Sequence, residues 1–292
     1  MQLQRVFQSS RALPALCLTL VAACNLATPA GALERKNAAA GDLPSSAIII
    51  DEDGRQTRDE YARSKGLSAS TVSTRFGATG LVRCGSAVGT GQLVGASNVL
   101  VTAAHVLFAP GGEPRGTGDS CTFEIEAGGS RQVVPIDVDE VICGAREPYA
   151  EPAVKDWAVV PLANAVIGAK PYMPAKAMSV PGEIVLAAAA RAGGEENYSL
   201  QGCRARQVTA TTPSGLREVA IDCDAEGGVS GAALLAPNGG FLGVYVGFRS
   251  AHPGKVGPFS MSHYNFGVTA EGSLRQAITE MVGRNQSASV SR

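Results

Sequence analysis

Residues 226–235 read EGGVSGAALL, a glycine-rich turn that leads directly into an apolar run. Ser230 lies in the middle of this turn. Glycine leaves the backbone free to direct several amide N–H groups into one pocket, as an oxyanion-binding site requires. Ser230 is therefore a candidate nucleophile, and the backbone amides of Gly228 and Ser230 are candidate oxyanion donors. The alternative is a glycine-rich turn without any chemistry.

A candidate base ends a second apolar run. His105 closes the segment VTAAH at residues 101–105, and the chain has only 3 histidines. A turn of small residues lets an imidazole project from a strand end into a cleft. The alternative is a histidine with a structural role in the core or on the surface.

A candidate acid begins a third apolar run. Asp156 lies in KDWAVVPL at residues 155–162. Burial of a carboxylate is costly unless it accepts hydrogen bonds or pairs with a charge, and a histidine N–H is a suitable partner. The alternative is an exposed acid at the edge of a strand.

The three candidates occur in the order His, Asp, Ser, the order of chymotrypsin-like peptidases. The motifs TAAH, DWAVVPL and GGVSG resemble the signatures of trypsin-like serine peptidases, and the resemblance covers roughly residues 78–283. It implies an all-β fold of two antiparallel six-stranded barrels, with the triad His105, Asp156 and Ser230 in the cleft between them. It also implies a serine endopeptidase that acts on peptides or proteins through an acyl-enzyme, without cofactor or metal.

Two details are most similar to bacterial relatives such as the glutamyl endopeptidases. They are the GTGQLVG run at residues 89–95 and the absence of an acid before the nucleophile. Animal trypsin-like enzymes have an aspartate there, which pairs with a newly freed N-terminal amine. Val229 occupies that position and cannot form an ion pair. We therefore expect the oxyanion loop to form whatever the N-terminal residue is, held by other contacts such as a disulfide.

The resemblance suggests three substrate-binding residues. Asp224 lies six residues before Ser230, the spacing of the acid that gives trypsin its preference for Lys and Arg. Tyr245 and Gly247 lie in GVYVG at residues 243–247, which resembles the strand that lines the specificity pocket. Tyr245 falls where a small residue is usual, so it either narrows the pocket or packs. His263 offers an alternative pocket residue that would favour glutamate.

The N-terminus has the features of an export signal. Arg5 and Arg11 precede an apolar run of 13 residues, too short to span a bilayer. The small residues at 30–32 predict cleavage after residue 32, so that residues 1–32 form a signal peptide. The alternative is a lipoprotein signal that would attach a lipid to Cys24. Either signal exports the protein to the periplasm or the medium, without a membrane span.

Export changes the expected chemistry of the cysteines. None of the five cysteines beyond the signal forms a CxxC pair, so disulfides are favoured over metal binding. Cys203 and Cys223 flank a predicted hairpin before Ser230, and we expect them to form a bridge. Cys121 pairs with Cys84 or, alternatively, with Cys143. The odd number leaves at least one thiol free or paired outside the chain.

Composition indicates a globular protein, since 45% of residues are hydrophobic and 17% charged. The net charge of −1 provides no basic field for nucleic acid. Residues 33–76 are predicted as a linker or pro-segment, 77–285 as the peptidase domain of a monomer, and 286–292 as a polar tail. A terminal helix is predicted from an N-cap at Ser273 to a stop at Gly283.

Two other functions fit the same sequence. One is a non-catalytic exported binding protein that kept the fold and lost turnover, for which Val229 and Tyr245 are the motivation. The other is a lipid-anchored envelope protein with a structural role.

Overall fold

The structure, a computed structural model, describes residues 47–190 and 196–290. The predicted signal peptide, its cleavage position and Cys24 lie outside the described residues. Among the residues that are described, no helix combines the length and the hydrophobicity needed to cross a bilayer.

The stretch predicted as a linker or pro-segment is folded from residue 47 onward. It contains strand β1 (Ile49–Ile50) and helices α1 (Arg58–Lys65) and α2 (Ala69–Phe76). A capping box between Thr57 and Glu60 begins α1. These helices were not predicted from the sequence, because each has only 8 residues and α1 is almost entirely polar.

Residues 79–161 form an antiparallel sheet of seven strands in the order β6-β5-β2-β3-β4-β8-β7. The strands are β2 (Thr79–Cys84), β3 (Ala87–Leu93), β4 (Val99–Thr102), β5 (Cys121–Ala127), β6 (Ser130–Pro135), β7 (Ile142–Cys143) and β8 (Ala158–Pro161). The segments that follow β6 and β8 approach each other at an isolated bridge between Ile136 and Leu162. The first half is therefore a seven-stranded sheet rather than the closed six-stranded barrel we expected, because β7 pairs with the outer edge of β8.

This half contains two hairpins. β3 and β4 are joined through residues 94–98, and β5 and β6 through Gly128 and Gly129. These two glycines have φ angles of 61° and 79°. Two successive positive φ values suit the right-handed twist of a two-residue hairpin and favour glycine at both positions.

The second half is a closed barrel of six strands, as expected, in the order β10-β11-β15-β13-β12-β9. The strands are β9 (Gly182–Ala190), β10 (Glu196–Thr211), β11 (Arg217–Ile221), β12 (Ala233–Leu235), β13 (Phe241–Ser250) and β15 (His263–Thr269), while the short β14 (Val256–Gly257) pairs with β1. Strand β3 of the first half contacts β9 and β12 of the barrel. This contact brings the two halves together where the candidate residues lie.

The terminal helix α4 (Gly272–Val290) packs on β4, β7 and β8 of the first sheet. Leu274, Ile278 and Met281 of this helix are buried. The predicted stop at Gly283 is wrong, and the helix extends into the segment predicted as a polar tail. A glycine inside a helix costs only about 1 kcal/mol, which the packed turns before it offset.

Two disulfide bridges form among the described residues. Cys203 and Cys223 are bonded, as predicted, and so are Cys84 and Cys121. Cys143 is the free cysteine of the described residues and is half-buried. The bridges fit a protein that folds in an oxidising compartment.

Candidate active site

His105 and Asp156 meet because two antiparallel strands bring them to the same edge of the sheet. Thr102 at the end of β4 pairs with Ala158 at the start of β8. His105 follows in the short helix α3 (Ala104–Leu107), and Asp156 follows the 3₁₀ turn Ala153–Lys155. The chain therefore presents the imidazole and the carboxylate to each other across neighbouring strands.

The contact between the two side chains is direct. His105 Nδ1 lies 2.7 Å from Asp156 Oδ2, and the His105 backbone N–H donates to Asp156 Oδ1 at 2.9 Å. The side chain of Asp156 is 9% exposed and that of His105 is 22% exposed. A buried carboxylate that accepts both bonds fixes the ring orientation and leaves Nε2 as the ring nitrogen for chemistry.

Arg115 and Tyr149 support the same histidine, and the sequence analysis missed both. The Arg115 Nε–H donates to the carbonyl oxygens of His105 at 3.0 Å and of Phe108 at 3.1 Å. Its Nη2 donates to the Tyr149 hydroxyl at 2.7 Å, and the Tyr149 ring lies 6.3 Å from the imidazole. No local motif indicates this role, since the contacts join separate loops.

Ser230 lies in a turn in which two backbone N–H groups form no hydrogen bond to a carbonyl of the described residues. The Val229 N–H donates to the Glu226 carbonyl at 3.1 Å, and Gly228 has a φ of 96°. The amides of Gly228 and Ser230 have no backbone acceptor among the described residues. Val229 itself is buried in the core of the second barrel. The turn is thus formed without the acid that animal relatives have at this position.

Thr90 connects this turn to the first sheet. Its N–H donates to the Ser230 carbonyl at 2.8 Å, and its hydroxyl donates to the Gly228 carbonyl at 3.0 Å. The same hydroxyl accepts the Ala189 N–H at 3.2 Å. Thr102 donates its hydroxyl to the Thr90 carbonyl at 2.7 Å. A fully buried threonine therefore bonds both residues whose amides are the candidate oxyanion donors.

The Ser230 turn also packs closely against the segment that carries His105. Gly231 has a φ of 85°, and a Cβ atom there would collide with Thr102 Oγ1 and lie 3.0 Å from the Ala103 nitrogen. Among the described residues, no hydrogen bond joins the Ser230 hydroxyl to the His105 ring. Such bonds are often long in a free enzyme and tighten when substrate binds.

The three predicted substrate-binding residues lie in the second barrel, and two of them are buried. Asp224 is 0% exposed, and its carboxylate accepts bonds from the chain itself. Burial raises its pKa to about 6. Tyr245 is 3% exposed, and its hydroxyl donates to Asn265 Oδ1 at 2.9 Å. Burial raises the pKa of Tyr245 well above its ordinary range.

Gly247 and His263 lie closer to the surface. Gly247 is half-buried on β13, next to a register shift in the pairing with β15. His263 Nδ1 lies 2.9 Å from the Ser250 hydroxyl, and its Nε2 lies 3.4 Å from the Ile49 carbonyl. Gly247 and His263 remain the more accessible candidates of the pocket.

The comparisons with known proteins agree with this geometry. The family model described as "Trypsin-like peptidase domain" matches residues 89–244, slightly more than half of the chain. A Glu endopeptidase solved in complex with MPD aligns with a TM-score of 0.58 and 15% identity, over 81% of this chain and 100% of its own. A thermostable serine protease, AL20, from an extremophilic microorganism aligns with a TM-score of 0.51 and 16% identity, over 70% of this chain and 95% of its own.

A search of curated protein sequences finds no significant match. The two structural alignments establish the shared fold, and the family match spans the segments that carry His105, Asp156 and Ser230. The chain therefore belongs to the trypsin-like peptidase family and is a serine-type hydrolase.

Proposed function

We propose that the protein is an exported serine endopeptidase in which Ser230 is the nucleophile, His105 the general base and Asp156 the residue that orients the base. The observation that carries the proposal is the 2.7 Å contact between His105 Nδ1 and Asp156 Oδ2 beside the Ser230 turn. A histidine held by a buried carboxylate next to a serine with two available amides is the arrangement that acyl transfer needs.

The reaction would proceed in two halves. His105 Nε2 takes the hydroxyl proton as Ser230 Oγ attacks the scissile carbonyl carbon, and the new negative charge on oxygen is bound by the N–H groups of Gly228 and Ser230. The imidazolium then gives its proton to the departing amine, which leaves an ester on Ser230. Water, deprotonated by His105, hydrolyses this ester and restores the free serine.

The substrate class follows from the family, whose members cleave peptide bonds. We propose a peptide or protein substrate and a monomeric enzyme, located in the periplasm or the medium. The two disulfides and the predicted signal peptide support export. The triad needs no cofactor or metal for any of these proton transfers.

Hydrolysis of a denatured protein substrate tests the proposal. The wild-type chain should release peptides, and Ser230→Ala and His105→Ala should lower the rate to near background. Ser214→Ala is a suitable control, since this exposed serine bonds to Thr212 in the turn between β10 and β11. If the wild-type chain binds peptides without cleaving them, the non-catalytic binding protein is the correct function instead.

A further inference from the structure

Residues 47–56, which we call the strap, lie against the second barrel; the first four are buried, and residues 51–54 are exposed. Residues 47–50 are each at most 6% exposed. β1 pairs in parallel with β14, and Ile48 forms two backbone bonds with Ala225, at 2.8 and 3.0 Å. The side-chain amide of Asn265 donates to the carbonyl oxygens of both Ile48 and Cys223, at 3.2 and 2.7 Å. The strap is thus bonded to the segment that leads from β11 to Ser230.

Asp224 anchors the middle of the strap. Its Oδ1 accepts the Ile50 N–H at 2.7 Å, and its Oδ2 accepts the Gly54 N–H at 2.7 Å and the Gln201 side-chain amide at 2.8 Å. The Asp224 N–H donates in turn to Gln201 Oε1 at 2.7 Å. Every oxygen of this fully buried carboxylate is already bonded within the chain. A basic substrate side chain would have to displace the strap to reach it.

Glu226 anchors the end of the strap. The Arg55 guanidinium, held also by Asp53 at 2.7 Å, contacts Glu226 Oε1 at 2.5 Å. The Glu226 carbonyl accepts the Val229 N–H and so closes the turn that contains Gly228. Three consecutive residues, 224–226, are therefore each bonded to the strap immediately before the oxyanion turn. The strap therefore holds the residues just before the turn, whereas Thr90 bonds to Gly228 and Ser230 within it.

We propose that the strap holds the oxyanion turn in its working shape, and that Asp224 and Glu226 are positioning residues rather than readers of the substrate. In animal relatives the turn is held by an ion pair between an N-terminal amine and an acid at the position of Val229. Valine cannot form that ion pair, so the strap takes over its role here. The inference rests on the proposed function. It deepens that function by assigning Asp224 to the shape of the turn instead of to a preference for Lys and Arg.

Two full-length variants and one matched control test the proposal. Glu226→Gln weakens the bond to Arg55, and Asp224→Asn replaces one acceptor oxygen by a donor that faces other donors. Glu271→Gln is the control, because Glu271 pairs with Arg217 at 2.6 Å in the same barrel, away from the turn. The side chains of the two pairs are similarly buried, at 19% and 8% exposed for Arg55 and Glu226 against 22% and 16% for Arg217 and Glu271.

The measurements are kcat and KM on ester substrates with Lys, Phe or Glu before the scissile bond, and the rate of fluorophosphonate labelling. Loss of an oxyanion donor costs a factor of about 10² to 10³ in kcat, so a loosened turn should cost about tenfold or more. We expect this loss in Asp224→Asn and Glu226→Gln, by the same factor on all three substrates. Glu271→Gln should keep the wild-type kcat.

Three results would overturn the proposal. The first is that the folded Asp224→Asn variant keeps the wild-type kcat and labelling rate. The second is that kcat falls for the Lys substrate alone, and the third is that Glu271→Gln loses as much kcat as the two variants. If Asp224→Asn fails to fold, Glu226→Gln decides by the same criteria.

If the wild-type chain neither hydrolyses esters nor reacts with the probe, the proposed function fails. The strap is then judged by hydrogen exchange at residues 223–230, which should be faster in Glu226→Gln and, if unchanged, overturns the proposal.

Discussion

Replacement of Thr90 by valine removes one hydroxyl and keeps nearly the same shape. Its hydroxyl donates to the Gly228 carbonyl at 3.0 Å and accepts the Ala189 N–H at 3.2 Å, so both groups lose a partner. A buried polar group without a partner costs about 1–3 kcal/mol, which gives roughly 2–6 kcal/mol for the pair. Because Gly228 is only half-buried, its carbonyl can still reach water, and we expect about 2–3 kcal/mol.

Thr90→Val should also slow catalysis, with a cost in activation free energy similar in size to its cost in stability. The freed Gly228 carbonyl lets the turn rotate, which misplaces an oxyanion donor and should lower kcat by about 10- to 100-fold with little change in KM. Thr90→Ser keeps the hydroxyl and should restore most of the rate.

Urea denaturation and steady-state hydrolysis measure both effects, and Thr79→Val is the matched control. Thr79 is a buried threonine on the neighbouring strand β2, and its hydroxyl bonds to Tyr172 at 2.9 Å, away from Ser230. Thr79→Val should lose stability and keep kcat. A folded Thr90→Val variant with the kcat of Thr79→Val would refute the role of the Thr90 hydroxyl, and so would a Thr90→Ser variant as slow as Thr90→Val.

Three further predictions follow from single contacts. Burial raises the pKa of Asp224 from 3.8 to about 6, so the folded state binds a proton more tightly than the unfolded state, and the free energy of unfolding should increase by about 3 kcal/mol as the pH falls from 7 to 3. Urea titrations of Asp224→Asn should lack that increase. The same dependence of the unfolding free energy on pH in wild type and Asp224→Asn would contradict the assignment. Asp156→Asn should lower kcat by about 10⁴ because it leaves the His105 ring in the wrong tautomer, and a stopped assay showing less than a tenfold loss would argue against its role. Gly231→Ala should destabilise the protein by several times the roughly 1–2 kcal/mol expected for Gly215→Ala. Both glycines have a φ of 85°, but only at Gly231 would the added Cβ collide with other residues, so the melting temperature of Gly231→Ala should be clearly the lower of the two.

The sequence was sufficient to predict the strands that consist of short apolar runs, and the turn residues at their ends. Hairpin glycines such as Gly128 and apolar strands such as β8 have local signals, and so does the helix that contains Leu274. The predicted hairpin between Cys203 and Cys223 includes only part of strand β10, and the full length of this strand, 16 residues, was not predicted. Its sequence is largely polar, and its pairing with both β9 and β11 stabilises it. Local propensity does not report such pairing.

The residues that support the site were harder to predict than the residues proposed to react. His105, Asp156 and Ser230 each stand in a recognisable motif. Thr90 and Arg115 act through contacts with the turn and with the α3 backbone, which depend on how the two halves pack. The same limit applies to the specificity pocket. The spacing of Asp224 suggested a substrate contact, and only the folded chain reveals the strap that occupies its carboxylate.

The central claim is that Ser230 is activated by a histidine that Asp156 orients. Mass spectrometry of the fluorophosphonate adduct tests it most directly, since the probe bonds only to an activated serine. We predict one adduct per chain, located on the peptide that contains Ser230, with its rate of formation strongly reduced in His105→Ala. An adduct on another residue, or equal labelling in wild type and His105→Ala, would contradict the account.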